Sequence, residues 1–327
     1  MRDLRKALYE GLLGFAIGDA LGVPVEFIER DKLDRWPVTG FRGYGTHNQP
    51  AYTWSDDTAV TLATLAAIGK TLEDCSDTEY LINNPQILAK AIMEELVLWL
   101  KEGKYACHGK VFDIGVTTQK AIENYIKYKD TQKCGSTLEQ DNGNGALMRM
   151  FPIAIFLAFC RGPYFVLTGA STREFRFICY ICGITHKHER SILACVIYIQ
   201  LILWILRGAS LRTAMRMAYF SGCHVYAENA KKLHMAGNET NAYDYVRFMD
   251  IIYGRYGRDR IKSTGYVVDT LEAVFWCLAN TSSYKECVLA AVNLGGDTDT
   301  IAAIAGSAAG IYYGRSQDVN STRSCFV

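Results

Sequence analysis

Strand-like alternation of apolar and polar residues is almost absent from this 327-residue chain, and it holds only six prolines. A sheet is therefore excluded as its main frame. Charge of either sign is missing in excess: 35 Lys and Arg stand against 34 Asp and Glu, for a net charge of +1. The basic residues are spread along the chain, so there is no field to hold nucleic acid and none is expected as a partner. Long apolar runs are missing too. The strongest, Ser191 to Leu206, contains Gln200 and falls short of the roughly 20 residues that span a bilayer, so a buried helix is expected rather than a membrane span. The opening residues (MRDLRKALYEGLLG) mix charges into a helical pattern without an apolar h-region or small-residue cleavage site, which argues against a secretory signal. Cysteine is not scarce, but order among the cysteines is. Eleven, an odd number with no repeated spacing, argue for reduced thiols and a cytoplasmic protein over a disulfide framework. The single Cys-x-x-Cys, Cys179 and Cys182, has no second pair to complete a zinc site, and core packing on one helix face is the expectation.

What is present is helical periodicity. Apolar residues recur at three and four, as in Leu88, Ile92, Leu96 and Trp99. The pattern predicts helices near residues 3–21, 56–69, 86–101, 115–127, 145–159, 173–183, 189–206, 210–219, 266–279, 284–292 and 299–312. Gly306 and Gly310 form a small-xxx-small pair that lets two helices approach closely. Residues 28–55, with Pro37, Pro50 and three glycines, read as a long loop, and residues 222–264 as polar surface helices and loops. No linker divides the chain, so one all-α domain is expected over 1–315, followed by a short polar tail, 316–327, not expected to fold alone. With no exposed apolar stripe evident in the pattern, a monomer is the expectation.

Two acidic clusters carry the chemistry. Trp54-Ser55-Asp56-Asp57-Thr58 and Gly295-Gly296-Asp297-Thr298-Asp299-Thr300 each open a predicted helix. A single Asp there is ordinarily an N-cap. Four carboxylates brought together, however, repel one another unless cations lie between them. Ser55, Asp56, Asp57, Asp297, Asp299 and Thr300 offer only oxygen, a ligand set suited to Mg²⁺, Mn²⁺ or Ca²⁺ rather than zinc. Gly143-Asn144-Gly145 precedes an apolar stretch carrying Arg149. Such a turn is a common loop, but glycines at a helix start also let an anion reach backbone N–H groups. His186 and His188, two apart, are poorly placed to share a metal, and capping or hydrogen bonding is the ordinary role of such residues.

The two clusters, with Gly11 to Phe27 (GLLGFAIGDALGVPVEF), Phe112-Asp113-Ile114-Gly115, Gly143 to Pro152 (GNGALMRMFP), Thr185-His186-Lys187-His188 and Gly265 to Trp276 (GYVVDTLEAVFW) in order between them, resemble the ADP-ribosylglycohydrolase family. The branch that activates dinitrogenase reductase is the most similar. The likeness covers roughly residues 5 to 315. It implies a compact orthogonal multi-helix bundle with the metal site in a surface cleft. It also implies two divalent cations, Mg²⁺ or Mn²⁺, and hydrolysis of the N-glycosidic bond of ADP-ribosyl-arginine on a protein, with ADP-ribose as product. Glu26 matches the family's movable flap glutamate beside one metal. Asp113 matches an aspartate near the substrate ribose and is the candidate acid–base, its other role being to cap the following helix. Gly143, Asn144, Gly145 and Met148, with backbone from Gly295 and Gly296, would hold the ADP-ribose. His186 matches a nucleotide-contacting position, and Tyr266 a cleft tyrosine that could equally be a core aromatic. Other ADP-ribose adducts (serine, nucleobase, free derivatives) and a catalytically silent ADP-ribose binder are the alternative functions. The tail departs from the family, which leads one to expect another helix after Tyr313-Gly314-Arg315.

Overall fold

The first and last helices of the fold lie side by side, and glycine makes that possible. In a computed structural model, which describes residues 3–162, 164–233 and 245–314, α1 (Leu4–Gly22) packs along α14 (Thr298–Tyr313). A Cβ at Gly14 would collide with the Gly306 carbonyl, one at Gly18 with the Ala302 carbonyl, and one at Gly22 with the backbone of Asp299. Contact at this range sets the start of α14 against the end of α1. The Gly306–Gly310 spacing serves the same contact, with both residues facing α1.

Around this pair the chain forms α2 (Arg30–Arg35), α3 (Asp56–Asp74), α4 (Thr78–Asn83), α5 (Pro85–Glu102), α6 (Val116–Tyr128), α7 (Phe151–Arg161), α8 (Thr172–Gly183), α9 (Glu189–Arg207), α10 (Leu211–Lys232), α11 (Phe248–Ile252), α12 (Val267–Ala279) and α13 (Tyr284–Val292). Among the described residues there is no strand, only three isolated bridges. The all-α expectation holds. One continuous apolar core runs from Ala7 to Ile311.

α9 is long and apolar enough to cross a membrane by length and composition, as is the segment Leu4–Val25, but most of each lies inside the protein. Gln200, the polar residue in the α9 run, is fully buried and satisfied. It accepts from Leu167 N at 3.1 Å and donates to Leu167 O and Ser221 Oγ, both at 2.8 Å. Cys182 is buried on α8 and Cys179 half-buried, and all cysteines among the described residues are free thiols.

Several elements differ from the sequence pattern: α3 runs to Asp74 rather than 69, α4 lies outside the predicted helices, and three further differences have a visible cause. The predicted 145–159 helix begins as a 3₁₀ turn, Leu147–Met150, and becomes α-helical only at Phe151, because Pro152 in the first turn lacks the N–H that an earlier start would need. α10 runs to Lys232, well past the predicted end, since Gly222 is not a breaker there but a point of close packing on Ile197. The 28–55 excursion contains α2 and a 3₁₀ turn, Gly45–His47. The expected tail lies outside the described residues, as does part of the 222–264 region.

Candidate active site

The close approach of α1 and α14 places the second acidic cluster beside the first. Asp19, on the buried side of α1, reaches across to α3. Its Oδ1 accepts from Ser55 N at 2.8 Å, and its Oδ2 accepts from Thr58 N at 2.9 Å and Thr58 Oγ1 at 2.6 Å. The orphan donors at the start of α3 are thereby satisfied from a neighbouring helix, and Asp56 and Asp57 are fixed in the first turn. Ser55 is the N-cap: its Oγ accepts from Asp57 N at 3.3 Å and also lies 3.4 Å from Asp57 Oδ2. The two clusters meet where Thr300 Oγ1 donates to Asp57 Oδ2 at 2.9 Å. Ligand oxygens of Asp19, Asp57 and Asp299 lie within 4.8 Å of one another, as do those of Glu26, Asp297 and Asp299.

Capping does not account for these carboxylates. Asp297 occupies the N-cap position of α14 yet makes no side-chain cap bond; its Oδ2 accepts from Asn144 Nδ2 at 2.6 Å instead. Asp57 Oδ1, Asp297 Oδ1 and Asp299 Oδ2 are buried with no hydrogen-bond partner. Burial, then neighbouring carboxylates, push the carboxyl groups of Asp56, Asp57 and Asp299 well above their ordinary range. Glu26 is raised by burial, then by Asp113 and Asp297, to about 11. Unpartnered anionic oxygen at this density is what a hard divalent cation requires. Of the expected ligands, Asp57, Asp297 and Asp299 fall in the two groups of close-set oxygens, together with Asp19 and Glu26, while Ser55 and Thr300 lie against Asp57 and Asp56 lines the cleft beside them.

Above the carboxylates opens a cleft of about 560 Å³. Asp56, Asp297 and Thr300 reach its floor, and Gly143, Asn144, Gly145, Met148 and His186 form one wall. A Cβ at Gly145 would lie 2.6 Å from Thr118 Oγ1 and 2.9 Å from a His186 ring carbon, so only glycine fits. Asn144 is anchored by Thr270 Oγ1 at 3.0 Å as well as by Asp297. His186 is buried, with its Nδ1 3.0 Å from Thr185 Oγ1. Burial, then the Arg149 charge, lower its pKa to about 3, so it faces the cleft as a neutral imidazole.

Arg149 itself points away from the cleft, donating to Ile181 O and Thr185 Oγ1 at 2.9 Å. It positions the segment bearing His186. Among the described residues the cleft lining holds no Lys or Arg, so an anion there would rely on backbone N–H groups. His188 caps α9, accepting from Arg190 N at 3.2 Å.

Two expected binding residues sit beside the cleft rather than lining it. Tyr266 is the N-cap residue of α12, half-buried, with its backbone paired to Gly143. Gly295, at φ +74°, packs against the backbone of Ile28 and Arg30, a site no side chain could enter. Gly296, at φ +70°, does line the cleft, and its backbone pairs with residues 27 and 28.

The rim joins Asp113 and Glu26, both expected there, to His47, which the sequence reading did not single out. Asp113 lines the cleft at φ +50° and caps nothing, since the N-cap of α6 is Gly115, without a side-chain bond. His47 stands between Asp113 and Glu26, touching the Glu26 carboxylate and lying 3.8 Å from Asp113 Oδ2. Asp19 had a legible signal, a lone carboxylate in the apolar run GFAIGDALG. His47 had none.

A helical bundle that sinks six carboxylates (Asp19, Glu26, Asp56, Asp57, Asp297 and Asp299) beneath a glycine-walled cleft defines the class by its site: an all-α protein with a buried acidic centre able to hold cations. The sequence profile described as ADP-ribosylglycohydrolase matches residues 1–320, and the chain belongs to that family. It is 31% identical over 305 residues to an ADP-ribosylarginine hydrolase of Serratia proteamaculans, covering 93% of this chain and 71% of that one. It is 28% identical over 314 residues to the ADP-ribosyl-[dinitrogen reductase] glycohydrolase of Rhodospirillum rubrum, covering 92% and 84%. A solved structure titled ADP-ribosylglycohydrolase-related protein complex superposes with a TM-score of 0.65, covering 97% of this chain and 92% of that one at 24% identity, and shares the fold.

Proposed function

We propose that the chain removes ADP-ribose from modified arginine on proteins by hydrolysing the C1″–N bond, with two divalent cations, Mg²⁺ or Mn²⁺, as cofactors. The observation that carries this reading is the set of unpartnered buried oxygens on Asp57, Asp297 and Asp299 directly under the glycine-walled cleft. The arginine preference is supported by the activity for which the Serratia relative is named. Bound cations supply Lewis-acid orientation of ribose hydroxyls and a more acidic water.

The chain's own residues do the rest. Backbone N–H groups of Gly143 and Gly145 hold the diphosphate, the Asn144 N–H being committed to Gly265 O at 3.0 Å, and neutral His186 contacts the nucleotide without adding charge. Asp113 accepts the proton of the attacking water on its carboxylate as the new C1″–O bond forms and the C1″–N bond breaks. The guanidine leaves as a neutral base and takes that proton, becoming guanidinium and restoring the Asp113 carboxylate. A planar guanidinium, cationic in the substrate and again in the product, suits a rim that carries Glu26 and Asp113.

The protein acts as a monomer in the cytoplasm, where its thiols stay reduced. The test is ADP-ribose release from ADP-ribosyl-arginine and ADP-ribosyl-serine peptides, each with Mg²⁺, with Mn²⁺ and with chelator. Arginine cleavage that needs a cation supports the reading. A serine preference would move the chain to another branch, and full activity in chelator would remove the cations from it.

A further inference from the structure

Glu26 is held from two directions by one turn. The 3₁₀ turn Gly45–His47 packs so closely that a Cβ on Gly45 would strike the Pro24 carbonyl. From there Thr46 Oγ1 donates to the Glu26 carbonyl oxygen at 2.6 Å, and His47 Nε2 hydrogen-bonds the Glu26 carboxylate. The turn is bought with unusual backbone: Tyr44 at φ +66° and Asn48 at φ +52° flank it, and neither is glycine. Such conformations persist only where surrounding structure over-determines them.

On its other side the His47 ring lies 3.8 Å from Asp113 Oδ2, and the rings of Phe27 and Phe112 flank it at 6.1 and 5.4 Å. Glu26 also belongs to the group formed with Asp297 and Asp299. Three separate segments therefore meet at one imidazole: the end of the first helix, the 44–48 turn and the 112–115 loop.

We propose that His47 is a positioning residue that clasps Glu26 against the cation centre and keeps it in register with Asp113. A carboxylate facing four others is pushed outward by repulsion. A hydrogen bond on its outer side opposes that movement, so Glu26 remains where it reaches Asp297 and Asp299. His47 acts through Glu26 and is not itself a ligand of the ion. The inference rests on the proposed cation centre but not on the identity of the leaving group.

The test uses the full chain with Mn²⁺ as the probe. Wild type, His47→Ala and His47→Gln are compared by calorimetric Mn²⁺ titration, by pulsed electron paramagnetic resonance of bound Mn²⁺, and by steady-state kinetics on an ADP-ribosyl-arginine peptide. Loss of such an outer partner typically costs about 10–100-fold in metal affinity or activity, and His47→Ala should lose that much in Mn²⁺ affinity and in kcat, with KM changed little. His47→Gln restores an amide donor to Glu26 and should recover most of both. Melting in chelator reports whether each variant folds.

Unchanged Mn²⁺ affinity in folded His47→Ala would overturn the proposal, as would equal losses in the Ala and Gln variants. Imidazole nitrogen coupling in the wild-type resonance spectrum would overturn it by making His47 a ligand. If the peptide is not cleaved while Mn²⁺ affinity follows the expected order, the arginine reading fails and the clasp stands.

Discussion

At the start of α3 the carboxylates are set by hydrogen bonds from another helix, whereas at the start of α14 they are set by backbone shape. Asp19 accepts three hydrogen bonds and is satisfied, though burial still raises its carboxyl to about 6. Gly295 and Gly296, both in the left-handed region, turn the chain so that Asp297 and Asp299 face inward with oxygens left over. Asp19 and Asp299 thus share one cluster with opposite roles. On the proposed reading the satisfied carboxylate holds the fold and the unsatisfied one holds a cation. The largest expected effect tests that division. Asp299→Asn should abolish turnover and Mn²⁺ binding, yet in chelator it should melt no lower than wild type, because it removes one of several repelling charges. Asp56→Ala should likewise abolish turnover with the fold intact. Thermal melting with and without Mn²⁺ checks both, and a large loss of stability in chelator would make Asp299 structural.

Asp113→Asn comes next. It keeps the shape of the side chain and removes the proton acceptor, so kcat should fall about 10²–10⁴-fold while ADP-ribose affinity, measured by titration, changes little. Since Asp113 caps no helix, its melting temperature should hold. An unchanged rate would sever the rim from the chemistry.

Smaller effects separate the two ways of holding the clusters. Asp19→Ala strands up to three buried donors at the start of α3 and should cost about 1–3 kcal/mol of stability for each one that finds no other partner. Gly296→Ala forces a side chain into the left-handed region and against the Ser263 carbonyl, a strain of about 1–3 kcal/mol before any clash. The distinguishing measurement is local: hydrogen exchange should rise at the first turn of α3 in Asp19→Ala and at the first turn of α14 in Gly296→Ala. Exchange rising at both ends in either variant would show that the two clusters are one cooperative unit.

How legible each part was follows from how it is built. Asp56, Asp57, Asp297 and Asp299 were readable because paired acids at a helix start violate the usual economy of a cap. The longer helices were readable from period alone, and so was the close contact of α14 from Gly306 and Gly310, whereas the short α2, α4 and α11 were not. Helix ends were less so: Gly222 looks like a stop in sequence and is a packing notch on Ile197 in space. The rim was nearly silent. His47 sits in a loop whose form depends on non-glycine residues at positive φ, Tyr44 and Asn48; Asn tolerates that region, but no propensity rule selects Tyr there. Tyr266 and Gly295 illustrate the converse, residues whose motif placed them at the cleft while the backbone turned them beside it.

The smallest expected effect concerns the far ends of the same two helices. α3 is tied to α5 by Glu95, which bonds Lys70, Lys104 (2.7 Å) and Tyr105 (2.5 Å), whereas the residues of α14 from Thr298 to Ile311 are buried and bear no charge beyond Asp299. Burial alone would raise the Glu95 carboxyl, but its hydrogen bonds from Lys104, Lys70 and Tyr105 outweigh that and hold it at about 2, against an ordinary value of 4.5. A carboxyl depressed on folding stabilises the folded state fully above its unfolded value, and that stability is lost as pH falls from about 4.5 through about 2. Both lysines are substantially exposed, so the network is worth about 1–3 kcal/mol rather than the larger figure for a fully buried pair. Glu95→Gln should therefore lower stability at pH 7 by that amount and by progressively less toward pH 2, where the two proteins converge. Denaturant unfolding across that range checks the slope. A difference that stays constant with pH would mean that Glu95 contributes packing rather than charge, and that the support of α3 is no more acid-sensitive than that of α14.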